Sequence, residues 1–298
     1  MTPIVAGRAR TFCAHRASLD HPFAPNSLAA VKACVAEGAP RVEIDVRFLA
    51  DDAMLVFHDR DLDDETTGAG PVANACREGL AGVRYRHGGE PLAYLEDVVA
   101  AVAGSATLLQ VDLKGLAPYT PRQNRHLIEV LTPLGDQVLA GSQAHWNVRS
   151  LANAGIPTAL DPTLHWHFAP ERERAGLSPA TLGRHGLWDD SPLAHLPGLG
   201  PTEYLEARIA DLVALVPAIE WMVDYRTLLF MEANGLRLGE RLRQDGVRLA
   251  AWTVHDEGPD ATRSLLGKLF EIGAEVVITD DPPRCSQYLE ADTVSPQR

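Results

Sequence analysis

A chain of 298 residues, 46% hydrophobic and 22% charged, has the composition of an ordinary globular protein and the length of one large domain. Its net charge of −13 argues against broad nucleic-acid binding, which needs basic surface to neutralise backbone phosphate, yet allows a small anionic substrate at a local positive site. Apolar runs fall far short of the roughly 20 residues that span a bilayer, and the first ten residues lack the apolar stretch of a signal peptide. Cys13, Cys34, Cys76 and Cys285 have neither metal nor redox spacing, so reduced thiols in a cytoplasmic protein are expected.

Residues 11–17 read as a first strand. Residues 27–37 read as a helix closed by Gly38, with Ala30, Val31, Cys34 and Val35 at core-facing spacing and Asn26 as its N-cap. A second strand follows at 41–48, with 54–58 as a short extended partner. Helix and strand then alternate: 95–103 helical, 107–114 extended, 124–131 helical, 137–141 extended, 146–154 helical and 157–160 extended. Further on, strands are expected at 218–223 and 248–254 with one helix, 229–244, between them. A helix at 261–272 and a strand at 275–279 close the pattern. Roughly eight strand-plus-helix units predict an α/β fold, a (β/α)8 TIM barrel occupying residues 1–290. Residues 161–217 are too long for one loop and contain a helix near 203–215, so they are read as an excursion over one face of the barrel. Residues 291–298 read as a frayed tail.

Chemistry-bearing residues gather at the expected strand ends. His15 and Arg16 end the first strand, and Glu43 and Asp45 are two apart on the second, hence on one face. Two carboxylates on one face repel unless a cation lies between them, which points to a hard divalent ion. Asp112 and Lys114 repeat the spacing on a third strand, and His58 follows the short extended partner. The set reads as a metal-assisted phosphodiester cleavage site. Glu43, Asp45 and Asp112 are candidate metal ligands, Arg16 and Lys114 bind phosphate oxygens, and His15 and His58 form a general acid–base pair. A Schiff-base aldolase using Lys114 is the competing enzyme class, disfavoured because neighbouring carboxylates keep that amine charged. Cys13 reads as a small buried strand residue and not a nucleophile. His165, Trp166 and His167 read as surface loop residues, His255 as a loop residue and Asp280-Asp281 as a loop cap.

In order and spacing these residues resemble the glycerophosphodiester phosphodiesterase family, a phospholipase C-like (β/α)8 barrel with a His-Arg start, a Glu-x-Asp strand, a His-Asp loop and a later acid-x-Lys strand. Thr66-Thr67-Gly68-Ala69-Gly70, Pro91-Leu92 with Leu95-Glu96-Asp97, Trp252-Thr253-Val254 and Ile278-Thr279-Asp280-Asp281-Pro282 extend the likeness almost end to end. The resemblance implies hydrolysis of a small-molecule glycerophosphodiester with one divalent ion, Mg²⁺ or Ca²⁺ (or Mn²⁺), and makes Trp252 a wall of the substrate pocket. It implies neither a nucleic-acid partner nor a membrane span and leaves the oligomeric state open. Four positions depart from the family: Ala17 replaces a glycine, Pro25-Asn26-Ser27 lacks a glutamate, Asp112 replaces the more common glutamate, and His255 replaces an asparagine. The Asp-x-Lys strand also resembles sphingomyelinase D-like phospholipases, which implies as alternative a phospholipase D-type lyase forming a cyclic phosphate. A non-catalytic phosphodiester-binding barrel is the remaining alternative.

Overall fold

The computed structural model describes residues 4–5, 8–168, 187–189 and 198–290 of the chain. Its centre is a closed ring of eight parallel strands: β1 (Thr11–Ala14), β2 (Arg41–Phe48), β3 (Leu108–Leu113), β4 (Val138–Ser142), β5 (Thr158–Leu160), β6 (Glu220–Asp224), β7 (Arg248–Val254) and β8 (Val276–Thr279). Each pairs with the next in chain order, and β8 pairs back onto β1. The described helices are α1 (Leu28–Ala36), α2 (Leu95–Val102), α3 (Pro121–Leu131), α4 (His145–Asn153), α5 (Pro201–Leu215), α6 (Tyr225–Ala233), α7 (Leu238–Arg243), α8 (Pro259–Ile272) and α9 (Pro282–Glu290). The fold is the TIM barrel that the alternating pattern predicts.

Strand alternation decides what faces what. On β2, Val42, Ile44 and Val46 are buried in one cluster with Ala30, Val31 and Cys34 of α1 and Val98 and Val102 of α2. The intervening Arg41, Glu43 and Asp45 therefore point into the barrel. All three are buried, so their charges must be compensated inside.

Several boundaries differ from those predicted, each for a local reason. Ser27 and not Asn26 caps α1, its hydroxyl accepting from the Ala30 N–H at 3.1 Å. A Thr120–Gln123 capping box with Pro121 at the first position starts α3 three residues early. The single helix predicted at 229–244 is two, α6 and α7, because Asn234-Gly235 ends the first, with Gly235 at φ 85°. Helix α9 was not expected; Pro282 and Pro283 fill its first positions, and Asp281 Oδ1 accepts from the Arg284 N–H at 3.0 Å.

The segment 161–217 lies partly within the described residues. Trp166–Phe168 pairs antiparallel with Leu187–Asp189, and α5 follows. Contrary to the surface reading, Trp166 is fully buried, 6.3 Å from the Trp221 ring. His165 Nε2 lies 3.2 Å from His145 Nδ1. The side chain of His167 and the tail 291–298 lie outside the described residues. No helix among the described residues is long and apolar enough to cross a membrane.

The lower barrel is closed by charge as well as by side-chain packing. Arg41 Nη2 reaches Glu220 Oε1 at 2.5 Å and Gln110 Oε1 at 2.6 Å, and Arg248 Nη2 lies 3.3 Å from Glu220 Oε2. Removing one partner of such a buried pair leaves an uncompensated charge, costing roughly 3–5 kcal/mol. Glu220→Ala is therefore expected to lose stability on that scale in urea unfolding, with Glu220→Gln losing less because its amide oxygen still accepts from Arg41.

Candidate active site

The C-terminal ends of the strands bring every predicted site residue to one mouth. A cleft of about 360 Å³ is lined by His15, Arg16, Glu43, His58, Asp112, Lys114 and Trp252, among others, and Asp45 lies directly beneath in contact with Arg16 and Lys114. In the register of β2 on β3, Asp45 lies opposite Asp112 and Glu43 opposite Gln110. One ligand atom from each of Glu43, Asp45 and Asp112 lies within 4.8 Å of the others.

The electrostatics of this trio set out what it lacks. Burial, aided by Asp45 and Asp112, holds the Glu43 carboxyl well above the usual carboxylate range. Burial also works to raise Asp45, but Lys114 and Arg16 outweigh it and bring Asp45 down to about 2. Lys114 Nζ lies 2.9 Å from Asp45 Oδ1 and 2.6 Å from Asp112 Oδ2. Burial opposes the charge on Lys114, yet Asp112 and Asp45 raise its pKa well above the ordinary lysine value. A permanently charged lysine is no Schiff-base nucleophile, which removes the aldolase reading. Asp45 Oδ1 is buried without an aligned hydrogen-bond donor, although Lys114 is near. An under-satisfied buried oxygen, beside a carboxyl whose pKa burial and like charge raise, suits a hard divalent cation with oxygen ligands. The residues fit the metal that the family likeness implies.

Two further contacts hold the trio. The first strand ends in a turn where Arg16 (φ 51°) and Ala17 (φ 57°) are both left-handed. That conformation costs an L-residue roughly 1–2 kcal/mol, so Ala17, where the family has glycine, carries strain. The turn aims the Arg16 backbone N–H at Glu43 Oε2 (2.7 Å) and its Nε at Asp45 Oδ2 (3.2 Å). Asn26, expected as a helix cap, instead clamps Asp45: its Nδ2 donates to Oδ2 at 2.8 Å, and its Oδ1 accepts from the Asp45 N–H at 3.0 Å. Asn26 itself has φ 64°, which asparagine tolerates better than most residues.

Both histidines are backed by carboxylates. His58 Nδ1 lies 2.6 Å from Asp59 Oδ1, and His15 Nδ1 lies 2.7 Å from Asp280 Oδ1. Burial lowers the His58 pKa, outweighing the opposite pull of Asp45. Asp280, read from sequence as a loop cap, also lies 2.6 Å from His255 Nδ1 through its other oxygen. The capping belongs to Asp281 alone. Strand register explains the meeting: Ala14 pairs with Thr279 and Val254 with Thr279, and His15, Asp280 and His255 each come one residue later. No sequence signal links residues so far apart until the barrel closes. His255 lines the cleft with Trp252 and Thr253 and so is not a mere loop residue. Cys13 is buried as predicted, its thiol pushed well up by burial.

The described residues thus form a TIM barrel with a carboxylate trio, two cations and two carboxylate-backed imidazoles at its C-terminal mouth. The model of the glycerophosphoryl diester phosphodiesterase family matches residues 15–158. A glycerophosphodiester phosphodiesterase of Caldanaerobacter subterraneus subsp. tengcongensis is 24% identical over 271 residues, covering 86% of this chain and 88% of the relative. Among solved structures, a glycerophosphodiester phosphodiesterase from Parabacteroides distasonis aligns with a TM-score of 0.66 at 17% identity, over 95% of this chain and 98% of that one. An Oleispira antarctica phosphodiesterase in complex with the product sn-glycerol-3-phosphate aligns with a TM-score of 0.63 at 16% identity, over 94% of this chain and 96% of that one. The chain is thus similar to the glycerophosphoryl diester phosphodiesterase family over residues 15–158, and to solved members of it in fold over nearly its whole length.

Gln143 and Asp161, at the ends of β4 and β5, line the same cleft and were not anticipated. Asp161 accepts from the Thr163 N–H (2.8 Å) and hydroxyl (2.5 Å) and from Gln143 Nε2 (3.2 Å), yet burial raises its pKa from 3.8 to about 6. The folded state thus holds this proton more tightly than the unfolded chain. Stability from this group is complete below about pH 4 and lost as pH rises through 6, by about 3 kcal/mol for a two-unit shift. Asp161→Asn keeps the oxygen that Thr163 uses, and the Gln143 amide can flip to accept. The variant is expected to match the parent at pH 4 and exceed it in stability at pH 7.5, measured by denaturant unfolding at both pH values.

Proposed function

We propose that the protein is a divalent-metal-dependent phosphodiesterase that hydrolyses glycerophosphodiesters to glycerol 3-phosphate and an alcohol. The observation that carries this reading is the meeting, at one barrel mouth, of a carboxylate trio within 4.8 Å with Arg16, Lys114 and two carboxylate-backed histidines. Glu43, Asp45 and Asp112 would hold the cation, Mg²⁺ or Ca²⁺, which would supply Lewis-acid charge neutralisation to the phosphodiester.

The chain's own groups supply the rest. Arg16 and Lys114, already drawn to the carboxylates, bind the remaining phosphate oxygens. Asp59 and Asp280 fix the Nδ1 nitrogens of His58 and His15, leaving Nε2 of each free to exchange a proton with substrate. One imidazole takes the proton of the attacking oxygen, and the other gives one to the departing alcohol. Trp252 walls the cleft and helps exclude water. A pure binding barrel would need neither imidazole, which favours catalysis. The barrel of residues 1–290 acts as one unit in this reading, with 161–217 as an excursion over one face. Cysteines that are free among the described residues suit a reducing cytoplasm.

Phosphorus NMR of glycerophosphocholine and of glycerophosphoinositol incubated with the protein is expected to show linear glycerol 3-phosphate from at least one of them, abolished by EDTA and restored by Mg²⁺ or Ca²⁺. A cyclic phosphate from lysophosphatidylcholine would favour the lyase chemistry instead, and no turnover with any of these ions would overturn the proposal. The Asn26 side chain hydrogen-bonds to Asp45 while its backbone N–H bonds to the Arg16 carbonyl, so Asn26→Ala, which removes only the clamp, is expected to cost about 10- to 100-fold in kcat/KM or metal affinity, as removal of a partner behind a metal ligand does; added metal should recover part of the loss.

A further inference from the structure

A second groove, of about 570 Å³, adjoins the catalytic cleft, and Lys114 lines both. Its walls are largely apolar, from Phe48, Val72, Leu116, Pro118 and Tyr119. Two guanidinium groups, Arg47 and Arg60, also line it. Arg47 follows Glu43 and Asp45 at two-residue spacing on β2, so it shares their inward face at the rim. Its Nε and Nη2 both donate to the His58 carbonyl, at 2.8 and 2.6 Å, which ties this cation to the loop carrying a candidate catalytic imidazole.

Neither guanidinium is paired directly with an acid, although Asp45, Asp59 and Asp112 act on Arg47 from further off. Among the described residues no carboxylate forms an ion pair within 4.0 Å of Arg47 or Arg60, although Asp61 lines the same groove. The Arg60 side chain has no hydrogen-bond partner among them either. Several arginines of this acidic protein, Arg16, Arg41, Arg77, Arg122 and Arg241 among them, are paired with acids, whereas Arg84 and Arg86 bond only to backbone carbonyls. Two like charges between apolar walls raise each other's energy, and an anion placed between them lowers both.

We propose that this groove is the leaving-alcohol subsite and that it selects an alcohol carrying its own anionic group, a phosphate or a carboxylate. The inference rests on the phosphodiesterase reading above. With the scissile phosphate at Lys114, the alcohol extends along the groove, its carbon skeleton against Phe48, Leu116 and Tyr119 and its anion on Arg60 and the free edge of Arg47. A cationic alcohol such as choline meets two guanidiniums there and is disfavoured.

The test compares kcat/KM for glycerophosphoinositol and its monophosphate, substrates that differ only in one anionic group on the leaving alcohol. The parent is expected to prefer the phosphorylated substrate by about tenfold, the scale of one partly buried charge pair. Arg60→Gln should bring the ratio close to one, and Arg60→Lys should retain part of it. A parent ratio near one, or a ratio indifferent to Arg60→Gln, would overturn the inference while leaving the phosphodiesterase reading intact. Should neither substrate be cleaved, calorimetric binding of inositol monophosphate against inositol decides for the groove alone. Tighter binding of the phosphate that is lost in Arg60→Gln supports it, and equal binding of the two overturns it.

Discussion

Asp45 is the charge on which the rest of the mouth is arranged. Its side chain is fully buried, and a carboxylate cannot remain ionised there without compensation. Three groups from three different places supply it: Arg16 from the turn after β1, Lys114 just beyond β3, and Asn26 from the turn that leads into α1. Each of those contacts drags a segment of backbone into position. The left-handed pair Arg16-Ala17, the early start of the strand-to-helix turn and the inward lysine all follow from the need to satisfy one carboxylate. Glu43 is left as the under-compensated partner, its pKa raised by burial and its acidic neighbours. The arrangement thus separates two carboxylates two residues apart into one that is firmly charged and one whose charge awaits a cation.

How much of this could be read from the sequence depends on the range of each contact. Spacing of two on a strand was enough to put Glu43 with Asp45 and Asp112 with Lys114, because side-chain alternation is a local rule. Repeating strand and helix patterns revealed the barrel, since closure into eight parallel strands is what such alternation builds. Asn26 was misread as a helix cap because a polar residue before a helix is the usual cap, and nothing local shows that Ser27 takes the role and frees it. Asp280 and His255 were misread for a deeper reason. Their partner His15 is 265 positions from Asp280, and only the pairing of the last strand with the first brings them together. The break at Asn234-Gly235 was visible as residues, but helical periodicity on both sides masked it.

The two cavities divide the labour by polarity. The catalytic cleft concentrates charge of both signs within a few ångströms, where every cation has a carboxylate beside it. The adjoining groove does the opposite, with apolar walls and two guanidiniums that lack carboxylate partners. A chain with net charge −13 can therefore hold anionic ligands by local placement of a few cations, with no need for a basic surface.

Asp280 follows the final barrel strand, and both imidazoles that it touches lie at the ends of strands it must first join. His15 follows the first barrel strand, yet its ring has no Asp280 carboxylate to orient it until the eighth strand has joined and the ring of strands has shut. Nascent or C-terminally clipped chains, however well their early strands assemble, lack that alignment. Competence for chemistry thereby becomes a readout of complete synthesis and closure.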